Sequence, residues 1–89
     1  MSTIKVEVKG QVDALLTWDG KSQGFTDSGD SSISEFEALK GSHVYAIVLQ
    51  GPPSGRWTAT VSGGKKKFSH SGHFSPAGID GTGDTPYEV

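Results

Sequence analysis

The sequence predicts one small all-β domain over residues 1–89, an antiparallel β-sandwich of about six to eight strands. Three observations lead to this prediction. Apolar and polar residues alternate along several segments, as they do in strands that bury one face. Glycine, proline, serine and aspartate cluster between those segments at the spacing of turns. The chain is long enough for one hydrophobic core and too short for two.

The first two segments show the alternation clearly. Ile4, Val6 and Val8 share one face of 4–9, and residues 12–18 repeat the pattern up to Trp18. The pair Gly10-Gln11 between them has the length of a type II′ turn. We therefore expect the two segments to form a hairpin.

The middle of the chain contains one ambiguous segment, 32–40. Its apolar residues Ile33, Phe36 and Leu39 are three apart, and Ser32 with Glu35 matches a capping box. These features predict a short helix. An irregular strand is the alternative, because two helical turns are marginal without tertiary packing.

Residues 44–49 are apolar in both phases, which is typical of a strand covered on both sides. We expect Val44, Ala46 and Val48 to fill the sandwich interior. The large side chains of Tyr45, Ile47 and Leu49 would then form an outward partner face. Either the segment 32–40, folded as a helix, or a second subunit in a symmetric dimer would cover this face.

The second half of the chain returns to alternation. Residues 56–62 predict a strand with Trp57 in the core, and 66–74 predict a weaker strand that follows it. The proline-rich segment 51–55 is expected to be the hairpin loop before this pair.

The remaining segments have loop composition. We expect loops at 19–31, where Phe25 is the single large apolar anchor, and at 75–85. The last residues, 86–89, are long enough for a short edge strand, where an initial proline is tolerated.

The stretch from Leu39 through Gly41 to Tyr45 resembles the tyrosine-corner region of immunoglobulin-like and fibronectin-type modules. Gly41 stands four residues before Tyr45, where three is usual. The resemblance implies an immunoglobulin-like sandwich, with a jelly-roll-like arrangement as the other form considered. It implies nothing about function.

Histidines provide the first candidate site. His70 and His73 are an odd number of residues apart, so a regular strand sends them to opposite faces, and His43 is distant in sequence. We expect His70 to be partly buried and bonded to backbone or to a hydroxyl. A small metal-dependent enzyme using all three histidines is the alternative.

Acidic loops provide the second candidate site. Asp27 and Asp30, and likewise Asp80 and Asp84, flank glycine-containing turns, so each loop could offer oxygens to calcium. The same residues are common in turns, which is the interpretation preferred here. A carbohydrate-binding surface is a further alternative, built from the loop aromatics and these side chains: Trp18, Phe25, Asp80, Asp84 and Tyr87.

The basic run Lys65–Lys67, near Arg56 and Trp57, is compatible with single-stranded nucleic acid. Lysines at a turn also protect a sheet edge from pairing, and we prefer this interpretation. No nucleic-acid partner is expected from a net charge of −2.

The leading functional prediction is a non-enzymatic binding or assembly module with a protein or glycan partner, acting as a monomer or a symmetric dimer. Abundant serine, histidine and aspartate form no recognisable catalytic motif, and no cofactor is predicted. Without cysteine, disulfides are excluded, and no apolar stretch is long enough to predict a membrane helix. The first residues predict no signal peptide, so a cytoplasmic protein or a mature secreted domain is expected.

Overall fold

Two antiparallel sheets packed face to face form the protein, which confirms the predicted β-sandwich. The computed structural model describes residues 1–10 and 12–89, and ten strands lie within them. The strands are β1 (Ser2–Lys9), β2 (Asp13–Trp18), β3 (Lys21–Gln23), β4 (Thr26–Ser28), β5 (Ser31–Ala38), β6 (Ser42–Gln50), β7 (Arg56–Ser62), β8 (Phe68–His73), β9 (Ile79–Gly81) and β10 (Thr85–Glu88).

The sheets divide the chain into alternating pieces. Sheet A has the strand order β4-β5-β1-β7-β8, and sheet B has the order β10-β6-β2-β3, with β9 paired to β6. Hairpins join β2 to β3, β4 to β5, and β7 to β8. Strands β9 and β10 both pair with β6 in sheet B, and the other connections cross between the sheets. As a result β1 lies at the centre of sheet A and β6 inside sheet B.

Two predicted hairpins are wrong. Strands β1 and β2 lie in different sheets, as do β6 and β7, so the segments around Gly10 and 51–55 connect sheets. Gln11, the second residue of the predicted turn, lies outside the described residues. Alternation specifies which face of a strand is apolar. It does not specify whether two such strands lie side by side in one sheet or opposite each other in two sheets across the core.

The segment 32–40 does not form a helix, because Ser31–Ala38 is strand β5. It pairs antiparallel with the whole of β1, from Ser2 opposite Ala38 to Lys9 opposite Ser31. Its inward residues include the buried Ser32 and Ser34, whose small side chains leave room for the apolar groups of β1. Eight residues of strand pairing outweigh a local capping signal.

Both predicted loops contain short strands. Residues 19–31 include β3 and β4, and 75–85 include β9. The turn before β3 is Asp19-Gly20, with positive φ at both residues, as a two-residue type I′ hairpin turn requires. The predicted edge strand at 86–89 is confirmed as β10, at the edge of sheet B.

The core lies between the sheets and is built from one phase of each long strand. Trp57 is only 3% exposed, which confirms its predicted core position. The other large members come from both sheets: Ile4, Val6, Val8, Leu16, Trp18, Tyr45, Ile47, Leu49, Val61, Phe74 and Tyr87. The immunoglobulin-like resemblance stays a prediction. The Tyr45 hydroxyl bonds to the His70 side chain, whereas the hydroxyl of a tyrosine corner bonds to backbone.

Candidate functional site: the outer face of sheet B

Strand β6 has the opposite phase from the one predicted. Tyr45, Ile47 and Leu49 are at most 1% exposed and face the core, so they do not form an outward partner face. Val44 and Val48 point outward and are 45% and 51% exposed. Because both phases of this strand are apolar, periodicity could not decide which one faced the sheet A layer.

Apolar side chains of neighbouring strands extend this outward surface. Pro86 lies opposite Val44, and Leu15 lies opposite Val48, so each pair shares a row on the outer face. Leu15 is 52% exposed. We call this surface the apolar strip, which consists of Leu15, Val44, Ala46, Val48, Ile79 and Pro86.

Carboxylates stand at both ends of the apolar strip. At one end exposed Glu88 pairs with Ser42, whose hydroxyl donates to the Glu88 carboxylate at 2.5 Å. At the other end exposed Asp13 pairs with Gln50. None of the strands that carry the strip (β2, β6, β9 and β10) contains lysine or arginine. The strip is therefore apolar along its middle and acidic at its ends.

The predicted carbohydrate-binding rings are not displayed at the surface. Trp18 and Tyr87 are 6% and 2% exposed, and their ring centroids are 5.9 Å apart in an edge-to-face contact. Phe25 is half-buried against the same core. Rings that pack on one another present no free face to a sugar, so the glycan alternative gains no support.

The acidic loops have structural bonds of their own. Asp80 accepts a hydrogen bond from Trp57 Nε1 at 2.8 Å, while Asp84 is exposed in the turn before β10. Asp27 accepts one from the Ser32 hydroxyl at 3.0 Å. Within the described ranges, no three histidine or acidic side chains converge as metal ligands.

His70 occupies a buried position between the sheets. Its Nε2 lies 2.6 Å from the Tyr45 hydroxyl, which confirms the prediction of a partly buried histidine bonded to a hydroxyl. Burial lowers the pKa of His70 and raises the pKa of Tyr45 to about 12. The two neutral side chains therefore share one hydrogen bond, whose direction is set by the imidazole tautomer.

His43 is held in the opposite protonation state. Its Nδ1 lies 2.6 Å from Asp19 Oδ2, and its Nε2 lies 2.7 Å from the Leu39 carbonyl oxygen. Both partners only accept, so both ring nitrogens donate and the ring is an imidazolium. The hydrogen bond to Asp19 raises the pKa of His43, and the same bond lowers the pKa of Asp19. With both nitrogens engaged, His43 offers no lone pair to a metal or a substrate proton.

The three histidines thus lie in separate surroundings. His73 is exposed beside Arg56 on sheet A, while His43 packs on the Trp18 ring with centroids 5.0 Å apart. The metal-enzyme alternative needs three converging imidazoles and gains no support from this arrangement.

The basic run Lys65–Lys67 is exposed in the connection between β7 and β8. It precedes β8, which is the edge strand of sheet A, as the edge-protecting interpretation requires. Trp57 is buried and offers no stacking surface to a base beside these lysines.

Two features were missed by sequence reasoning. The dipeptide Asp19-Gly20 between apolar strands is a hairpin signal that could have placed β3, but the approach of His43 to Asp19 depends on tertiary folding. The doubly apolar pattern of β6 indicated that apolar side chains lie on both of its faces. It did not indicate that Val44 and Val48 are the exposed ones.

No helix in the described part of the chain is long and apolar enough to cross a membrane. Comparison of the chain with protein-family models, with curated proteins and with solved structures found no match.

Proposed function

We propose that this protein is a non-enzymatic binding module whose docking surface is the apolar strip. The observation that carries the proposal is the exposure of Leu15, Val44, Val48 and Ile79 on the outer face of one sheet. Single exposed apolar residues are ordinary on protein surfaces, but a contiguous group bordered by polar residues is typical of an interaction site.

The rest of the molecule supports a binding role over catalysis. His43 has both ring nitrogens bonded to acceptors, and Nε2 of the partly buried His70 is hydrogen-bonded to the Tyr45 hydroxyl. Neither imidazole is placed to abstract a proton from a bound substrate. The two sheets instead form a rigid scaffold that holds the apolar strip in a fixed geometry.

A random 20-residue peptide display library, selected on the folded protein, tests this proposal. Enriched peptides are measured against the wild-type protein and against the Leu15→Thr/Val48→Thr variant, which removes the centre of the strip. The matched control is Thr58→Ser/Thr60→Ser on the outer face of sheet A.

We expect the enriched peptides to bind the control as they bind the wild type and to lose at least tenfold in affinity for the strip variant. This loss corresponds to about 1.4 kcal/mol. Enriched peptides that bind the strip variant unchanged would show that the docking surface lies elsewhere. Thermal unfolding of both variants establishes that they are folded.

A further inference from the structure

We infer that the partner of the apolar strip is an amphipathic α-helix with lysine or arginine near both of its ends. This inference rests on the proposed function and names the occupant of the same surface. The shape of the strip, the charges at its ends and the composition of this chain each contribute one step.

The dimensions of the strip fit one helix. Its apolar residues lie on β2, β6 and the strands beside β6, so the strip is about three strands, or roughly 10 Å, across. An α-helix with its side chains has a diameter of about 10–12 Å. A second sheet laid on this face would also cover β3, whose exposed Ser22 lies beside Thr17. A single helix along β6 covers the apolar side chains and leaves Ser22 of β3 in water.

The length of the strip fixes the length of the helix. From Ser42 to Gln50, the residues that mark its two ends on β6, eight extended steps span about 27 Å. A helix covers that distance in about 18 residues. We expect apolar residues at i, i+3, i+4 and i+7 along the side that contacts the sheet.

The charges at the ends fix the polar contacts. Glu88 and Asp13 are exposed at opposite ends of the strip, and the strands beside them carry no lysine or arginine. The His43 imidazolium on β6 also attracts Glu88, but it is already paired with Asp19. Basic side chains about 27 Å apart on the partner would meet both carboxylates.

A second copy of this chain does not have these properties. Facing strips that lie parallel or antiparallel across a two-fold axis bring acidic ends together, since Asp13 then meets either Asp13 or Glu88 of the partner copy. The described residues, 1–10 and 12–89, also contain no helix that a copy could offer. We therefore assign the surface to a different protein or segment.

Two synthetic peptides test the inference. Both are 18-residue helices with the same leucine stripe at i, i+3 and i+4, and one has two lysines at each end where the other has two glutamates. Binding to the full chain is measured by fluorescence anisotropy in about 50 mM and 500 mM salt, and the contact surface is mapped by backbone amide chemical shifts.

We expect the lysine-ended peptide to bind about 3- to 30-fold more tightly in low salt, since exposed ion pairs contribute modestly and are screened by salt. The difference should disappear in 500 mM salt and in the Asp13→Asn/Glu88→Gln variant, in which both side chains keep their size. Shifted amides should lie on β2 and β6, and circular dichroism should show helix gained by the bound peptide.

Three results would overturn the inference. Equal binding of the two peptides that is lost in Leu15→Thr/Val48→Thr would reject the basic ends while leaving the docking surface in place. Self-association through the strip, measured by sedimentation, would replace the helix by a second copy. Failure of both peptides to bind would reject the helical partner, and the library selection then decides separately whether the strip docks anything.

Discussion

The outer faces of the two sheets are built in opposite ways. On sheet A, threonine and serine lie opposite each other, as in Thr58 with Ser71 and Thr60 with Ser69, and Lys5 lies opposite Glu35. On sheet B, Val48 lies opposite Leu15, and Val44 lies opposite Pro86. The first pattern is that of an antiparallel sheet with one solvated face.

This difference is the basis of the proposed function. A sandwich needs only the inner faces of its sheets to be apolar, and sheet A follows that requirement apart from the partly buried Ile33. Sheet B exposes apolar groups whose burial would stabilise a complex by roughly 25 cal/mol for each Å² removed from water. Folding does not require this second apolar face, which is why we assign it to binding.

The largest expected effect concerns the inner face of sheet A. Truncation of buried Trp57 to alanine should lower the free energy of unfolding by about 3–5 kcal/mol, because it leaves a cavity and frees the Asp80 carboxylate from its donor. Urea unfolding followed by circular dichroism measures this loss. A loss below about 1 kcal/mol would mean that this ring contributes little to the core.

The contact between the sheets should have the next largest effect. Tyr45→Phe removes the hydroxyl bonded to His70 Nε2, so a partly buried imidazole nitrogen loses its partner. We expect a loss of about 0.5–1.5 kcal/mol in the free energy of unfolding. The double variant Tyr45→Phe/His70→Phe serves as the control, since it removes both polar partners and should recover part of the loss. An unchanged stability of the single variant would contradict the bond.

The sequence predicted the inner faces well where alternation was clear. Segments 4–9 and 56–62 each had one apolar phase, and that phase is buried in both. In 12–18 the phase that contains Leu16 and Trp18 is buried at these two residues, while Leu15 in the other phase is exposed. The prediction failed for 44–49, where the choice between phases depends on the Tyr45 ring meeting His70 of the other sheet, 25 residues away. Long-range pairing also decided the segment 32–40, whose capping signals were purely local.

The residues of the candidate site were not predicted. The doubly apolar pattern of β6 was interpreted as an outward face of Tyr45, Ile47 and Leu49, but those side chains are buried, and Val44 and Val48 are exposed instead. Which set is exposed depends on the topology, because β6 follows a crossover from β5 in sheet A. The bond between His43 and Asp19 joins residues 24 apart in sequence, so local periodicity could not predict it.

The two histidines should contribute to the free energy of unfolding with opposite pH dependence. Each contribution should be smaller than the effects of the substitutions above. His43 has a pKa raised above its usual 6.5 by its bond to Asp19, so its contribution to stability is complete below pH 6.5 and declines as pH rises through the folded-state pKa. His70 has a pKa lowered by burial, so the unfolded chain binds the proton more readily than the folded protein does. The free energy of unfolding is therefore unaffected by His70 well above pH 6.5 and declines as pH falls.

Variants separate the two contributions. Relative to the wild type, His43→Gln should be destabilised most at pH 5 and least near pH 9, by urea unfolding at each pH. His70→Gln should lose less stability than the wild type when pH is lowered from 7 to 5. Parallel pH profiles for the wild type and either variant would contradict the assigned protonation state of that histidine.

The smallest expected effect tests the comparison of the outer faces directly. Leu15→Thr/Val48→Thr converts the centre of the apolar strip into the type of surface that sheet A presents. Threonine is β-branched, which suits a strand, and both positions are half exposed, so the free energy of unfolding should change by no more than about 0.5 kcal/mol per site. Urea unfolding measures the change, with Thr58→Ser/Thr60→Ser on sheet A as the matched control. A loss of several kcal/mol in the strip variant alone would mean that these side chains stabilise the fold itself. Unchanged stability together with lost peptide binding would show that the apolar character of this face serves the partner and not the core.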